Sequence, residues 1–394
     1  MTAPPHFTPT DPEALRWRPL TVRFSATGAE YARLWQVNLF LTLLTLGLYL
    51  PFAKARRLRY LYAHTWVGGH PLGFHGNPWR MLGGHLTMVV LFGGYTLSGY
   101  ASTWVYVASA VALALIWPAL WRAGLRYRLA NTRWRGLRFA FVGDLRGAYR
   151  AMLPWTLPPV LFGVSALICA PNTLAGETPD LPAWVWALNI AVFCAALPLG
   201  LAWVKRYQTS GYRWAGLVPH IEASTSAYGV LMLRVLGLGL LGLVVALVLV
   251  MGVLFGVGEL FQLSRATMGT LFSVAAFCTT YWVGLVGTSA QLSAGVQNIV
   301  WNATSAPTLR VQSSLDVAGY VWLQLKNWLW VALTLGLYRP YAWVHAQRMR
   351  WAAIQVQASE DPNGWRQTPT PGVKGVKGAQ GEMSGDFFGL DVGW

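Results

Sequence analysis

Eight apolar segments alternate with polar connections along the chain. They cover about residues 34–52, 84–100, 104–121, 152–172, 183–204, 228–257, 268–288 and 318–338. Several reach the roughly 18–20 residues that an α-helix needs to cross a bilayer. The pattern therefore predicts an all-α polytopic membrane protein with six clear spans in the middle and one further apolar segment on each flank.

The two ends of the chain are polar. Residues 1–30 contain prolines and charges, include one strand-like piece at 21–25, and lack the apolar core of a cleavable signal peptide. Residues 358–394 are rich in Gly, Pro, Lys and Gln, a composition that predicts disorder. We therefore expect a membrane domain over 31–357.

Composition supports the membrane assignment. Hydrophobic residues make up 55% of the 394 residues and charged residues only 11%, against about 25% in soluble domains. The 22 tryptophans are typical of the interfacial belts of membrane proteins.

Charge indicates how the spans are oriented. Seventeen Lys and Arg residues lie in 53–82, 122–151, 205–227 and 289–317, whereas the other three connections together contain one. Since basic loops stay in the cytoplasm, the six middle segments should form three hairpins. The same rule explains the net charge of +16 and the Arg-rich stretch 126–139, so nucleic acid is not an expected partner.

The basic segments also resemble one another. RYLYAHTWVGGHPLGFHG (59–76) aligns with RYRLANTRWRGLRFAFVG (126–143), and weaker copies lie at 205–216 and 298–314. This spacing indicates hairpin repeats over about 53–121, 122–204, 205–288 and 289–357. Each copy contains an extended fragment, so we expect a small β-layer on the cytoplasmic face, built from 21–25, 71–74, 137–141, 217–221 and 308–311.

One phrase occurs twice, on the two flanks. NLFLTLLTLGLYLPFAKARRLRY (38–60) and NWLWVALTLGLYRPYAWVHAQRMRW (327–351) share an Asn, then TLGLY, then Pro, an aromatic residue and Ala. Two interpretations are open. Each segment is an ordinary span, giving eight spans in all, or each dips in and returns, which keeps the arginines of both tails in the cytoplasm. Both interpretations place the two termini on the same side.

These residues resemble a known family. The N-x6-TLGLY-x-P-[FY]-A phrase, its basic continuation and the Trp-rich spans are similar to the YjgN-like family of bacterial inner-membrane proteins, over about residues 21–357. The resemblance implies a multi-pass protein of the inner membrane whose function is uncharacterised, and it supplies no catalytic residues. The second phrase departs from the first, because Trp343 and Ala346 replace Lys54 and Arg57.

Few residues carry candidate chemistry. His64, His70, His75 and His85 have no accompanying cysteine or carboxylate, so we expect no metal site. The three cysteines lie in apolar segments, and no catalytic or cofactor motif is present, so we expect neither enzyme activity nor a cofactor. Asn38, Asn189 and Asn327 are candidates for a polar interior. The candidates for contact with lipid headgroups are Lys54, Arg56, Arg57, Arg59, Arg126, Arg128, Arg133, Arg135 and Arg138.

Two functions follow as hypotheses. The first is a transporter or channel-like protein for a small or lipidic solute, since repeated hairpins are a common way to build transporters. The alternative is a non-enzymatic membrane scaffold or envelope-maintenance factor whose basic cytoplasmic face binds anionic lipids. The sequence indicates neither a substrate nor an oligomeric state.

Overall fold

The computed structural model describes residues 17–169, 181–262 and 264–360. In these ranges, helices alternate with short strands, and the helix after α7 is continuous over Arg265–Asn302 with a π-helical segment at Thr280–Gly287. The helices are α1 (Gly28–Leu44), α2 (Leu50–Ala63), α3 (Pro78–Ser98), α4 (Thr103–Ala130), α5 (Leu145–Cys169), α6 (Ala183–Gly211), α7 (Thr225–Phe261), α8 (Arg265–Thr279), α9 (Thr288–Asn302), α10 (Val317–Leu333) and α11 (Arg339–Ala352).

The strands form two sheets that continue into each other. They are β1 (Arg18–Leu20), β2 (Val22–Phe24), β3 (Thr65–Val67), β4 (His70–Phe74), β5 (Thr132–Trp134), β6 (Leu137–Phe141), β7 (Tyr212–Trp214), β8 (His220–Ile221), β9 (Thr304–Ala306), β10 (Leu309–Ser313) and β11 (Ile354–Ala358). One sheet has the order β2-β3-β4-β5-β6-β7 and the other β1-β11-β10-β9-β8. Only Thr21 separates β1 from β2, and a bridge between Trp214 and Leu217 links β7 towards β8. The strands therefore form a closed ring.

This ring confirms the predicted β-layer, because all five predicted fragments contribute paired strands. Most of the predicted disordered tail, 361–394, lies outside the described residues, as do 1–16 and part of the connection before α6. The predicted tail boundary is corrected slightly, since Ala358 is the last residue of β11 and pairs with both Leu309 and Arg18.

The ring consists of five equivalent units, each a helix, two antiparallel strands and a second helix. Four units run consecutively from α2 to α10. The fifth is split between the chain ends: α11 and β11 supply its first half, and β1, β2 and α1 its second. Neighbouring units pair in one register throughout, through Phe24 with Thr65, Phe74 with Thr132, Phe141 with Tyr212, Ile221 with Thr304, and Ser313 with Ile354.

A hydrogen bond repeats at each of these junctions. The backbone N–H after the second strand donates to the carbonyl at the end of the first helix of the next unit. The five pairs are Ser25 to His64, His75 to Asn131, Val142 to Gly211, Glu222 to Ala303, and Ser314 to Ala353, at 2.8–3.0 Å. Each unit thus satisfies one of the free carbonyls that a helix leaves at its C-terminus.

The second helix of every unit also begins in the same way. A short polar side chain two residues after this junction caps the helix, and its oxygen accepts from a backbone N–H in the first turn. The caps are Thr27, Asn77, Asp144, Ser224 and Asp316. The first helix of each unit contributes a side-chain donor to the carbonyl just before the cap, from Arg59, Arg122, Arg206, Asn298 and Arg348.

TLGLY is a hairpin turn in both places, so the interpretation with eight full spans is wrong. The helix over the first phrase ends at Leu44, and α2 begins at Leu50 and runs back to the ring. Thr45 closes the turn, because its hydroxyl donates to the Leu41 carbonyl and accepts from the Tyr49 N–H at 3.0 Å. Thr334 repeats both bonds between α10 and α11. The two phrases therefore form short hairpins, here called the first and second short hairpins.

The backbone of these turns explains their glycines. Gly47 and Gly336 adopt φ angles of +92° and +93°, which side chains other than hydrogen resist. The leucines before them are almost fully exposed, Leu46 by 94% and Leu335 by 95%. Such exposure suits a hairpin tip that enters lipid.

Helix length separates short hairpins from spanning ones. Since the units share one register at the ring, residue counts along a helix measure height above it. Beyond Arg122, α4 continues for nineteen residues, about 29 Å, which matches the hydrocarbon thickness of a bilayer. Beyond Lys54, which stands one residue farther from the ring than Arg122, α2 continues for only four residues, about 6 Å. The short hairpins therefore reach less far from the ring than the spanning hairpins do.

The six predicted spans are confirmed, with longer helices than the sequence suggested. The six candidate helices are Pro78–Ser98, Thr103–Ala130, Leu145–Cys169, Ala183–Gly211, Thr225–Phe261 and Arg265–Asn302. The segments 122–130 and 53–63, predicted as basic loops, are helical instead. Their cations therefore stand on helix ends next to the ring.

Candidate functional site

A cleft lies between the first short hairpin and α11. Its volume is about 350 Å³, in the range of small-ligand sites. Helix α1 contributes one wall and α2 the facing wall, and the beginning of α11 closes the side, because the split fifth unit places α11 against α1. The cleft thus joins residues from the two ends of the chain.

Three cations line this cleft: Lys54 and Arg57 from α2, and Arg339 from α11. Lys54 is buried and only 7% exposed. Among the described residues that line the cleft, none is a carboxylate. The electrostatic potential inside is therefore positive, which favours an anionic ligand.

Aromatic and apolar side chains complete the walls. Tyr31 is buried and packs between Tyr60 and Trp343, with ring centroids 5.8 and 5.2 Å away. Burial raises the pKa of the Tyr31 phenol, and the positive charges of Arg57 and Arg339 act in the opposite direction. Both guanidinium groups therefore lie close to this end of the cleft. Leu39 and Leu50 line the end nearer the hairpin tip.

The three asparagines predicted for a polar interior are all buried, but they lie in different places. Asn38 Nδ2 donates across the first short hairpin to the Ala53 carbonyl at 3.4 Å, and Asn327 Nδ2 repeats this bond to Ala342 at 3.2 Å. Asn189 Nδ2 donates within α6 to Val185 at 2.9 Å. Of the three, only Asn38 lines the cleft. A shared polar interior remains a prediction.

The cations predicted to contact lipid headgroups divide into several groups. Lys54 and Arg57 face the cleft, whereas Arg56 is exposed on the same helix and donates to the Tyr49 hydroxyl at 3.4 Å. Arg59 donates to the Gly76 carbonyl at 2.8 Å. Arg126 and Arg128 stand on the last turns of α4, and Arg133, Arg135 and Arg138 belong to the β5–β6 hairpin. Their contact with lipid remains a prediction.

A second basic cluster lies on the sheet face opposite the buried aromatic side chains. Gly73, Arg133 and Arg138 are direct partners in one row across β4, β5 and β6. The His75 ring lies beside Gly73, where an added Cβ would come within 3.0 Å of it. Partial desolvation of the imidazole ring, then the charges of Arg133, Arg138 and Arg59, lower the pKa of His75. This face is therefore strongly cationic.

Sequence reasoning missed the side of the cleft that α11 forms. Arg339 and Trp343 belong to the second TLGLY phrase, and nothing local to either phrase indicates that α11 packs on α1. The described residues contain no group of three metal-ligating side chains, and His64, His70 and His85 do not converge on one.

The sequence matches a family model over residues 19–387, described as "Bacterial protein of unknown function (DUF898)". The chain belongs to this family. The resemblance noted from the TLGLY phrases is confirmed by its relatives, which are named inner membrane protein YjgN. The protein from Salmonella typhimurium strain LT2 is 22% identical over 365 residues, which cover 86% of this chain and 89% of the relative.

Matches to the Escherichia coli proteins are shorter. The protein of the same name from strain O157:H7 is 30% identical over 132 residues, 32% of each chain. The protein from strain K12 is 31% identical over 130 residues, which cover 32% of this chain and 31% of the relative. No solved structure matches the chain. Together with the six spanning helices, these names identify this DUF898 protein as a multi-pass protein of the bacterial inner membrane.

Proposed function

We propose that this protein binds a lipidic solute and moves it within the inner membrane. One observation carries the proposal: among the described helices, two adjacent hairpins that rise from the ring, α1–α2 and α10–α11, lack membrane-spanning helices. The short hairpins contact each other through α1 and α11, and the six spans follow one another as the other three hairpins. The spans therefore form an arc that is open to lipid on one side.

The surfaces of the spans support a lipidic rather than a water-soluble solute. In the most apolar window of each span, between none and 33% of the residues are buried in the protein. The exposed side chains of α7, such as Leu236, Leu240 and Val244, are apolar. A lipid molecule can enter such an arc from the side, and the short hairpins lie below the opening as a floor.

The experiment is a lipid-movement assay in proteoliposomes. Purified protein is reconstituted with trace fluorescent phospholipid, and the fraction of label reached by an impermeant quencher is followed with time. The proposal expects faster exchange between leaflets than in vesicles that hold an unrelated six-span protein. Rates equal to that control for both anionic and zwitterionic labels would contradict it.

A second candidate, the membrane scaffold, is favoured by the cationic sheet face. Arg23, Arg133, Arg138 and Arg213 lie on strands β2 to β7, which contain no carboxylate. Replacing Arg126, Arg128, Arg133, Arg135 and Arg138 together with Gln should then reduce the anionic lipid that copurifies with the protein. Unchanged anionic lipid, measured by mass spectrometry, would count against this role.

A further inference from the structure

We infer that the cleft of the first short hairpin is the headgroup site for a phospholipid with net negative charge. This inference rests on the proposed function and names its substrate class. The chain contains its own comparison, because the second short hairpin has the same turn and the same asparagine bond but not the same cations. Comparing the two hairpins therefore shows which cationic residues belong to the cleft and are not part of the shared hairpin structure.

The comparison is position by position. Asn38 and Asn327 donate to carbonyls fifteen residues ahead, so both asparagines hold their hairpins together. Lys54 and Arg57 of the first hairpin correspond to Trp343 and Ala346 of the second. Neither of these two residues of the second hairpin is charged. Trp343 packs against the first hairpin and lines its cleft, and Ala346 is buried. At these two positions the cations therefore belong to the first hairpin alone, and the second hairpin adds Arg339 to the same cleft.

Height above the ring supports a position of the cleft near the headgroups. Lys54 stands ten positions before His64, and Arg122 stands nine before Asn131, at the base of a helix long enough to cross the bilayer. A phosphate bound by Lys54 and Arg57 would lie at the level of neighbouring phospholipid phosphates. Arginine suits this group especially, since its planar fork binds phosphate through two parallel hydrogen bonds.

The walls select an amphiphile over a small soluble anion. Leu39 and Leu50 line the cleft towards the hairpin tip, where Leu46 is exposed. A phospholipid can place its phosphate against the three cations and its acyl chains along these leucines, towards the open side of the arc. A free phosphate would contact the three cations but would leave the leucines without a partner.

The orphaned oxygen of Asn38 adds a polar contact. Asn38 Oδ1 is buried without a hydrogen-bond partner among the described residues, and Asn38 lines the cleft. It can accept a hydrogen bond from a headgroup hydroxyl, such as that of a phosphatidylglycerol. The same atom of Asn327 is also unpartnered, so the cations and not this oxygen define the site.

Native mass spectrometry of the purified full-length protein tests the inference. Phosphatidylglycerol and phosphatidylcholine with identical chains are titrated separately, and we expect tighter binding of phosphatidylglycerol. A bound cation near the membrane surface contributes about 1 kcal/mol, so Arg57→Gln and Arg339→Gln should each weaken phosphatidylglycerol binding about fivefold. Arg57→Lys and Arg339→Lys keep the charge and should lose less.

Arg33→Gln is the matched control, because it removes one positive charge from an exposed position of the same hairpin, on α1, outside the cleft. Its binding should stay within about twofold of wild type. Equal losses for Arg33→Gln and Arg57→Gln, or no preference for phosphatidylglycerol, would overturn the inference. Thermal unfolding of each variant identifies any that fold poorly, and the charge-keeping lysine variants then decide the question.

Two further measurements separate the possible ligands and the two proposals. A photoactivatable phosphatidylglycerol should cross-link to peptides from α1, α2 and the start of α11, and labelling elsewhere alone would contradict the site. Glycerol phosphate that competes as strongly as the lipid would show a soluble ligand instead. Lipid binding without faster lipid exchange between leaflets would support the headgroup site and contradict transport. Fast exchange that the cleft variants do not change would support transport and contradict the headgroup site.

Discussion

At the residue scale, the repeated phrase is a device for turning a helix back. The asparagine seven positions before each TLGLY holds the two arms together, and the threonine of TLGLY closes the turn. Polar side chains at this depth are costly unless they are hydrogen-bonded, which explains why each is used in a specific contact.

Asn327 offers the cleaner test of this bond, because its side chain is fully buried. In Asn327→Ala, the Ala342 carbonyl loses its donor, and we expect the free energy of unfolding to fall by about 1 kcal/mol. The exposed Gln36→Ala on α1 should change stability little. Thermal unfolding in one detergent measures both, and equal midpoints would show that the bond contributes nothing.

The glycines of the two turns predict a second effect. Gly47→Ala and Gly336→Ala force a side chain into a backbone region with positive φ, at a cost of about 1 kcal/mol or more. Gly83→Ala within α3, where an added Cβ meets open space, should be neutral or stabilising. A pair of turn variants as stable as wild type would contradict the assigned turn geometry.

At the element scale, each strand pair is short and depends on its neighbours in the ring. The β3–β4, β5–β6 and β7–β8 turns use adjacent residues with positive φ: Gly68 with Gly69, Arg135 with Gly136, and Ala215 with Gly216. Two positive φ angles match the right-handed twist of the strands, as in type I′ hairpin turns. This explains why the aligned glycines of the basic segments recur.

The arginine row across β4, β5 and β6 predicts a response to acid. The pKa of His75 lies below its ordinary value of 6.5, so the folded state favours the neutral ring. The stability that this contributes is present above pH 6.5 and is lost as the pH falls through the lowered value. His75→Gln should therefore lose less stability than wild type between pH 7.5 and pH 5.5.

Thermal unfolding of wild type and His75→Gln at the two pH values measures how much stability each protein loses. The other histidines are present in both proteins, so their contribution cancels in the comparison. Because His75 is exposed and its neighbours Arg59, Arg133 and Arg138 are partly screened by solvent, the effect should be small. A larger acid-induced loss in His75→Gln than in wild type would contradict the assigned direction.

Many of the helices and strands could be predicted from the sequence. Apolar periodicity and charge alternation located the six spans, and the aligned basic segments located the strands. The TLGLY phrases left two interpretations open, because a run of apolar residues long enough to span looks the same whether or not its middle is a turn. The two interpretations are distinguished by the return of α2 to the ring. This return depends on tertiary contacts, which the local sequence does not show.

At the scale of the whole molecule, the split fifth unit explains why the chain ends matter. β1 pairs with β11, and α1 packs on α11, so the first and last described elements complete both the ring and the cleft. Sequence alone gave no sign of this unit, because its halves are separated by the other four and neither half resembles a complete repeat.

Ring closure can be tested by a disulfide. Pro19 and Gln357 are direct partners in the β1–β11 pair, a spacing that suits a disulfide bond. With the three native cysteines replaced, Pro19→Cys with Gln357→Cys should cross-link under mild oxidation. Pro19→Cys with Gln355→Cys, two residues out of register, should cross-link poorly. Equal yields for the two pairs would contradict the register.

The most direct test of the account is the side of the membrane on which the ring lies. In a protein without native cysteines, Glu360→Cys marks the end of β11, and Ala101→Cys marks the tip between α3 and α4. An impermeant maleimide added to intact spheroplasts should label Ala101→Cys at once and Glu360→Cys only after the membrane is opened. Labelling of Glu360→Cys from outside would contradict a five-unit ring on the cytoplasmic side. If Ala101→Cys is also labelled from outside, the second short hairpin crosses the membrane, and if it is not, the whole protein has the opposite orientation.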